Sequence, residues 1–568
     1  MAWYDEAIFY HIYPLGLTGA PRENSYGEVQ HRLQTLIPWI SHIKEIGCNA
    51  IYIGPLFESV GHGYETTDYK KLDSRLGNNE DLTAFVRRCH EEGIRVILDG
   101  VFNHTGRDFF AFQDLKKNRE NSPYKDWFCN VNFWGNNEYN DGFSYENWGG
   151  YNLLVKLNQK NPAVREYICD VIRFWVTEYD IDGIRLDAAD VLDFEYMQAL
   201  RQTGNAVKPD FWLMGEVIHG DYTRWVNEGT LHSVTNYHLH KALYSGHNDH
   251  NYFEIAHTVK RQCDMRGNGS SGLKLYNFVD NHDVERIYTK LNKKEHFTPV
   301  HILLYTLPGI PSIYYGSEFG IEGRKERGSD ASLRPALNLA DYQDVIRTNP
   351  CTKLIAALGQ IRQQVPALSY GDYRELLLTN RQYAFSRNVN GRSAIVTVNN
   401  DDADFTMHLP VEQEMQYQGA LSGEMVNVQD GRIQVTIKAN SGEIWIPAED
   451  GDGCRLKKVT LEPIVQSVPK PQMQTQSTAQ QPMEQLEGKS QVQEENPSQT
   501  ENQSQTEWNP QVNVQSVNKS YEEMSIEELQ AAILAKMAKN GPITDQMRRD
   551  VRENVYHNSL INWVKSFR

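Results

Sequence analysis

Four short stretches of this chain carry the residue types that acid–base and nucleophilic chemistry use: Asp99-Gly-Val-Phe-Asn-His104, Gly183-Ile-Arg-Leu-Asp-Ala-Ala189, Gly215-Glu-Val217 and Phe278-Val-Asp-Asn-His-Asp283. Each closes a short apolar run, so each places its polar groups at one end of a predicted strand. Together they supply Asp99, Asp187, Glu216 and Asp283 with Arg185, His104 and His282. Charged side chains at buried strand ends are costly unless they are paired or used. Arg185 lies two positions before Asp187, on the same strand face, where a guanidinium favours the ionised carboxylate. Glu216 has no cation next to it in its own stretch and follows Trp212 and Met214, a setting that raises a carboxyl pKa. One carboxyl held ionised and another held protonated suit bond cleavage by a nucleophile and a general acid.

The elements that must bring these residues together alternate along the chain. Strand-like runs occur at Ala7–Tyr13, Ala50–Leu56, Arg95–Phe102, Gly183–Ala189, Asp210–Val217, Ser233–Leu239, Lys274–Val279 and Pro311–Gly316. Helical patterns fall between them, for example Leu33–Ile46 and Asn79–Glu92. That rhythm predicts parallel βαβ units, and eight of them predict an α/β fold of the (β/α)8 TIM-barrel type. In such a barrel, catalytic groups come from the carboxyl ends of several strands. The barrel is read over residues 1–104 and 162–365. Residues 105–161, rich in Asn, Gly and aromatic residues without clear periodicity, read as an irregular inserted subdomain after the third strand.

After a helix near Thr352–Arg362, short alternating strands such as Gln382–Ser386 and Ser393–Val398, with an Asn390-Gly391 turn between them, predict an antiparallel β-sandwich over 366–448. Residues 449–520 turn to Gln, Ser, Pro, Asn and Glu and read as a flexible linker. Over 521–568, the capping box Ser525-Ile-Glu-Glu528 opens a helical hairpin with Leu529, Ile533, Leu534 and Met537 on one side. Such a hairpin could dock a protein partner, self-associate, or have no special role.

A net charge of −17 excludes nucleic acid and anionic lipid as natural partners, because polyanions demand a basic face. No apolar run approaches a membrane span, and no basic segment followed by an apolar stretch opens the chain. The seven cysteines are scattered without a Cys-x-x-Cys pair, which fits reduced thiols and a cytoplasmic setting.

The four stretches, with Tyr64 in Gly63-Tyr-Glu-Thr-Thr-Asp68 and Val155-Lys-Leu-Asn-Gln-Lys-Asn-Pro162, resemble the α-amylase superfamily, glycoside hydrolase family 13, over roughly residues 5–448. Val155–Arg165 and Val234-Thr-Asn-Tyr237 are most similar to the neopullulanase, cyclomaltodextrinase and maltogenic amylase branch. The N-terminal sandwich usual in that branch is absent ahead of the first strand. Ile218 stands where a tryptophan is usual, while His219 agrees. Ala188-Ala189-Asp190 lacks the lysine–histidine pair of endo-acting α-amylases.

The resemblance implies hydrolysis of α-1,4-linked glucans through a covalent intermediate, with 4-α-glucanotransfer or an inactive glycan- or partner-binding relative as alternatives. It implies Asp187 as nucleophile, Glu216 as acid and then base, and Asp283 as the third carboxylate. Tyr64, His104, Arg185, His282, His219, Asp68 and Arg334 would bind substrate, the last two as a pair at the closed end of the pocket. Asp99 would hold Arg185 from behind. No cofactor is required; Asn103 matches the family's calcium ligand, and calcium is allowed without being required.

Overall fold

The computed structural model describes residues 2–265, 272–327, 329–412, 416–448 and 525–540, together with residues 464, 551 and 564. The chain divides into two compact units, Met1–Gln474 and Thr475–Arg568.

In the first unit, eight parallel strands form one sheet: β1 (Phe9–Ile12), β2 (Ala50–Ile53), β3 (Arg95–Gly100), β4 (Gly183–Leu186), β5 (Trp212–Gly215), β6 (Ser233–Val234), β7 (Tyr276–Phe278) and β8 (Ile310–Tyr314). Their spatial order is β6-β5-β4-β3-β2-β1-β8-β7. The two edges meet where Thr235 bridges Tyr276 in parallel and the Asn236 N–H donates to the Tyr276 carbonyl at 2.9 Å. The sheet therefore closes into a barrel; seven strands lie within the sequence-predicted runs, and the eighth begins one residue ahead of its run, at Ile310.

Every strand is buried on both faces, which is why these runs read as continuously apolar. With a side-chain period of two, Phe9, Tyr52, Ile97, Trp212, Met214, Tyr276 and Phe278 fill the interior. Trp212 stacks on Phe9 with ring centroids 5.2 Å apart. Continuing the same alternation along β3, β4 and β5 carries Asp99, Arg185, Asp187 and Glu216 to the top of this packed plug. The helices between strands are locally encoded: Asn78 and Asp81 form a capping box at Asn79–Glu91, and Asn161 with Pro162 opens Pro162–Tyr179.

The segment after β3 is more regular than its composition predicts. It contains a helix, Phe110–Asn118, and an antiparallel sheet in which Tyr151–Lys156 lies between His104–Thr105 and Asn147–Trp148. Strands of two residues carry no readable periodicity, so the sheet was hidden among Asn and Gly. His104 belongs to this sheet and is pinned opposite Lys156.

The region after Pro350–Gln364 is the expected antiparallel module. A six-stranded sheet faces the pair Phe405–Pro410 and Arg432–Ile437 across a core that includes Ile395, Met407, Leu409 and Trp445. Asn390 and Gly391 both adopt positive φ, as a two-residue hairpin turn requires.

The predicted linker lies outside the described residues apart from Ile464. In the second unit, Ile526–Asn540 is helical, and Ser525 and Glu528 exchange the capping-box hydrogen bonds at 3.2 and 2.7 Å. Leu529 and Ile533 are buried with Val551 and Val564; the rest of the predicted second helix lies outside the described residues. No helix among the described residues is long and apolar enough to cross a membrane.

Candidate active site

Arg185 is the hub of the carboxylate cluster. Its Nη1 donates to Asp99 Oδ1 at 2.8 Å and to Asp187 Oδ1 at 2.9 Å, while Nη2 lies 2.8 Å from Glu216 Oε2. Met214 on β5 is the register partner of Arg185 on β4, so the long side chain reaches the carboxyl two residues further along the neighbouring strand. Glu216 thus has a cation that its own stretch does not contain, because the adjacent strand provides it.

Burial, reinforced by Glu216, Asp99 and Asp283, pushes the Asp187 carboxyl well above the usual carboxylate range against the pull of Arg185. Here the sequence expectation is revised, because one guanidinium is divided among three carboxylates. Arg185 itself, although burial opposes its charge, is held firmly protonated by Asp99, Glu216 and the rest of the cluster.

Asp283 approaches from the far side of the ring, after β7. Its Oδ1 accepts from Arg334 Nη2 at 2.8 Å, and its Oδ2 lies 3.0 Å from His282 Nε2. Burial opposes ionisation, yet His282, Arg334 and Arg185 together hold the Asp283 carboxyl far below its ordinary value. Asn281 Oδ1 accepts the backbone N–H groups of Asp283 and Val284 at 2.8 and 3.1 Å, which locks the loop.

Tyr64 bridges the two halves. Its hydroxyl donates to Asp99 Oδ2 at 3.2 Å and is hydrogen-bonded to His282 Nε2, with its ring stacked on that of His282. Residues 187, 216 and 283 thus share one connected polar network, and their side-chain exposures of 10, 13 and 34% grade from the floor to the open mouth. His104 is buried beside Asn103, and desolvation lowers its pKa to about 3, so the ring is neutral.

Two sequence-predicted residues stand elsewhere. Asp68 is exposed on Thr66–Leu72, where its Oδ1 accepts from the Lys70 N–H at 2.9 Å. Strand alternation explains this: the neighbouring Tyr69 points inward to the carbonyls of Val101 and His104, which turns Asp68 out. Arg334 pairs with Asp283 and with Asp330, at 3.1 Å, rather than with Asp68. His219 lies exposed in the loop beyond Glu216.

Residues 22–360 match the α-amylase catalytic domain, and residues 371–445 match the α-amylase C-terminal domain. The chain belongs to the α-amylase family. It is 32% identical over 418 residues to a cyclomaltodextrinase of Thermoanaerobacter pseudethanolicus, covering 70% of this chain and 71% of that protein. It is 29% identical to neopullulanase 2 of Thermoactinomyces vulgaris, covering 78% of each. Among solved structures, a cyclomaltodextrinase superposes with a TM-score of 0.68 at 26% identity over 78% of both chains. The debranching enzyme of Nostoc punctiforme gives 0.67 at 27% identity, covering 78% of this chain and 98% of that one. As an α-amylase family member the protein is a glycoside hydrolase, and its likeness runs to the cyclomaltodextrinase and neopullulanase branch.

Within this α-amylase framework, three further side chains complete the site. Tyr237 donates to Glu216 Oε1 at 3.2 Å and accepts from Asn281 Nδ2 at 3.2 Å. Tyr52 donates to Asp99 Oδ2 at 2.9 Å, and Tyr13 lies under Arg334, 4.6 Å from ring centroid to guanidinium carbon. Each sits in or just after an apolar run and reads there as core; only Tyr237 carried a signal, its place in Val234-Thr-Asn-Tyr237. Ala188, in the left-handed region at φ 44°, aims its N–H at Glu216 Oε2, 3.3 Å away.

The family's calcium position does not fit the residues present. Asn103 Oδ1 is buried and already accepts from Gln159 Nε2 at 3.1 Å, so an amide N–H stands where a cation would have to approach. Among the described residues no group of three or more His, Cys, Asp or Glu is arranged to hold a metal ion.

Proposed function

We propose that the protein is a retaining α-glycoside hydrolase of α-1,4-linked glucans, with maltodextrins, cyclodextrins, pullulan and starch fragments as the substrate class. The observation that carries the reading is the sharing of Arg185 between Asp187 and Glu216, which holds two carboxyls side by side in one polar network with Asp283. In the first step Glu216 gives its proton to the glycosidic oxygen while Asp187 attacks C1, so the C1–O bond to the leaving sugar breaks as the bond to Asp187 forms. In the second, Glu216 takes a proton from water, whose oxygen replaces Asp187 at C1 with net retention.

Asp283 and His282, fixed by Arg334 and Tyr64, are placed to grip hydroxyls and favour the distorted ring, while neutral His104 donates from the insertion. A family relative named an intracellular maltogenic amylase and the free cysteines support work inside the cell.

Mass spectrometry on the Glu216→Gln protein given an activated α-maltosyl fluoride tests the intermediate. A peptide containing Asp187 should gain the mass of the transferred sugar. Modification at any other carboxyl, or hydrolysis of maltotetraose to the inverted anomer by the unmodified protein, would overturn the assignment. Early appearance of oligosaccharides longer than a maltotriose substrate would instead identify a glucanotransferase.

A further inference from the structure

Beyond the carboxylates, the inserted sheet carries an aromatic surface that the chemistry above does not use. Thr105, next to His104, pairs with Val155, which in turn pairs with Asn147. The next residue, Trp148, is therefore held beside the substrate-facing histidine, and its ring lies within 7° of parallel to that of His104 with centroids 6.4 Å apart. Trp148 is also the register partner of Tyr151, and directly opposed residues of an antiparallel pair present their side chains on one face.

The turn between them is built to display that face. Gly149 and Gly150 both adopt positive φ, 65° and 86°, the geometry of a tight two-residue hairpin. A Cβ on Gly149 would meet the Tyr151 ring at 3.3 and 3.5 Å, so glycine lets the ring lie close across the turn. Tyr151 is nonetheless 68% exposed, and Trp148 is half-buried. Amide groups brace the base of the hairpin: Asn147 Nδ2 donates to Asn152 Oδ1 at 2.7 Å, and the Tyr145 hydroxyl donates to the Asn152 carbonyl at 2.7 Å.

A large aromatic face held in water by a braced turn costs solvation without adding to the core. Flat rings of this kind suit the apolar C–H faces of pyranose sugars. Resting on the functional reading above, we propose that Trp148 and Tyr151 form a glucose-stacking platform that binds a more distant unit of the same α-glucan and so sets preference for longer chains. Trp148, beside His104, takes the unit nearer the carboxylates, and Tyr151 the unit beyond it.

The test compares kcat/KM for maltotriose and maltoheptaose in the full-length protein and in Tyr151→Ala and Tyr151→Phe variants. Loss of one ring contact should lower kcat/KM for maltoheptaose about tenfold through KM, the scale of a single aromatic contact. Maltotriose should change less than twofold, and Tyr151→Phe should behave like the parent because the ring remains. Equal losses on both substrates, or no loss on either, would overturn the platform. If the parent cleaves neither substrate, the functional reading fails by itself. Calorimetric binding of maltoheptaose to the parent and to Tyr151→Ala then still decides the platform: equal affinities overturn it, and about tenfold weaker binding by the variant supports it.

Discussion

The two ends of strand β4 hold aspartates only five residues apart, and the barrel treats them in opposite ways. Asp182, just before the strand, accepts from the Val96 N–H at 2.9 Å, lies 2.7 Å from His90 Nε2, and pairs with Arg95 and Lys208 at 2.9 and 3.2 Å. Burial opposes its charge, but His90, Lys208 and the backbone donor win and hold its pKa at about 2. Asp187, just past the strand, shares one arginine with Asp99 and Glu216, and its carboxyl is pushed up. At the amino-terminal mouth Asp182 has Arg95, Lys208 and His90 around it, and its charge is stabilised. At the carboxyl-terminal mouth acids outnumber the cation, and the surplus negative charge is kept where a positive sugar centre would form.

The largest test of this contrast is at the top. Glu216→Gln and Asp187→Asn should each lower kcat/KM on maltotetraose by about 10³-fold or more. Asp187→Asn should not lower the thermal midpoint at pH 7. A buried carboxyl with a raised folded-state pKa opposes folding once the pH exceeds its unfolded value, so Asp187→Asn relieves that cost. A marked drop in midpoint for Asp187→Asn would erase the distinction between the two mouths.

Arg185→Met should next cost about 3–5 kcal/mol in chemical denaturation at pH 7, because it leaves buried carboxylates uncompensated. A variant as stable as the parent would show that Arg185 is not the hub.

Asp182→Asn should cost about 2 kcal/mol at neutral pH and leave glucan hydrolysis within twofold. The folded pKa of about 2 lies below the unfolded value of 3.8, so this stabilisation is present above about pH 4 and is lost as the pH falls through 2. Denaturation curves taken from pH 7 down to pH 3 should therefore show the parent and variant converging. A gap that stays constant or widens would assign the loss to packing.

Tyr237→Phe, which removes one hydrogen bond to Glu216, should give the smallest effect, about 1 kcal/mol or roughly fivefold in kcat/KM. An unchanged kcat/KM would leave Tyr237 as packing.

Much of the contrast was legible before any coordinates. Asp99, Arg185, Asp187, Glu216, His282 and Asp283 announced themselves because each interrupts an apolar run at a strand end. The capping box at Ser525 and the Asn390-Gly391 turn are equally local signals, satisfied within a few residues. Tyr52 was not legible, since an aromatic residue in a strand has the same pattern whether its hydroxyl is idle or holds a carboxylate. Asp68 misled for the converse reason: its motif is local, but which face of the strand it takes depends on Tyr69 anchoring to Val101 and His104 more than thirty residues away.

The amino-acid order alone determined the strand and helix types, the eight-fold repeat and which acids end the strands, because hydrophobic period and capping act over a few residues. Only the tertiary structure decided that β6 closes on β7 through Thr235 and Tyr276, that one guanidinium serves Asp99, Asp187 and Glu216 together, and that Gln159 fills the place beside Asn103. Those outcomes depend on the register between strands far apart in the chain and on the shared burial of their charges, and no local pattern encodes either.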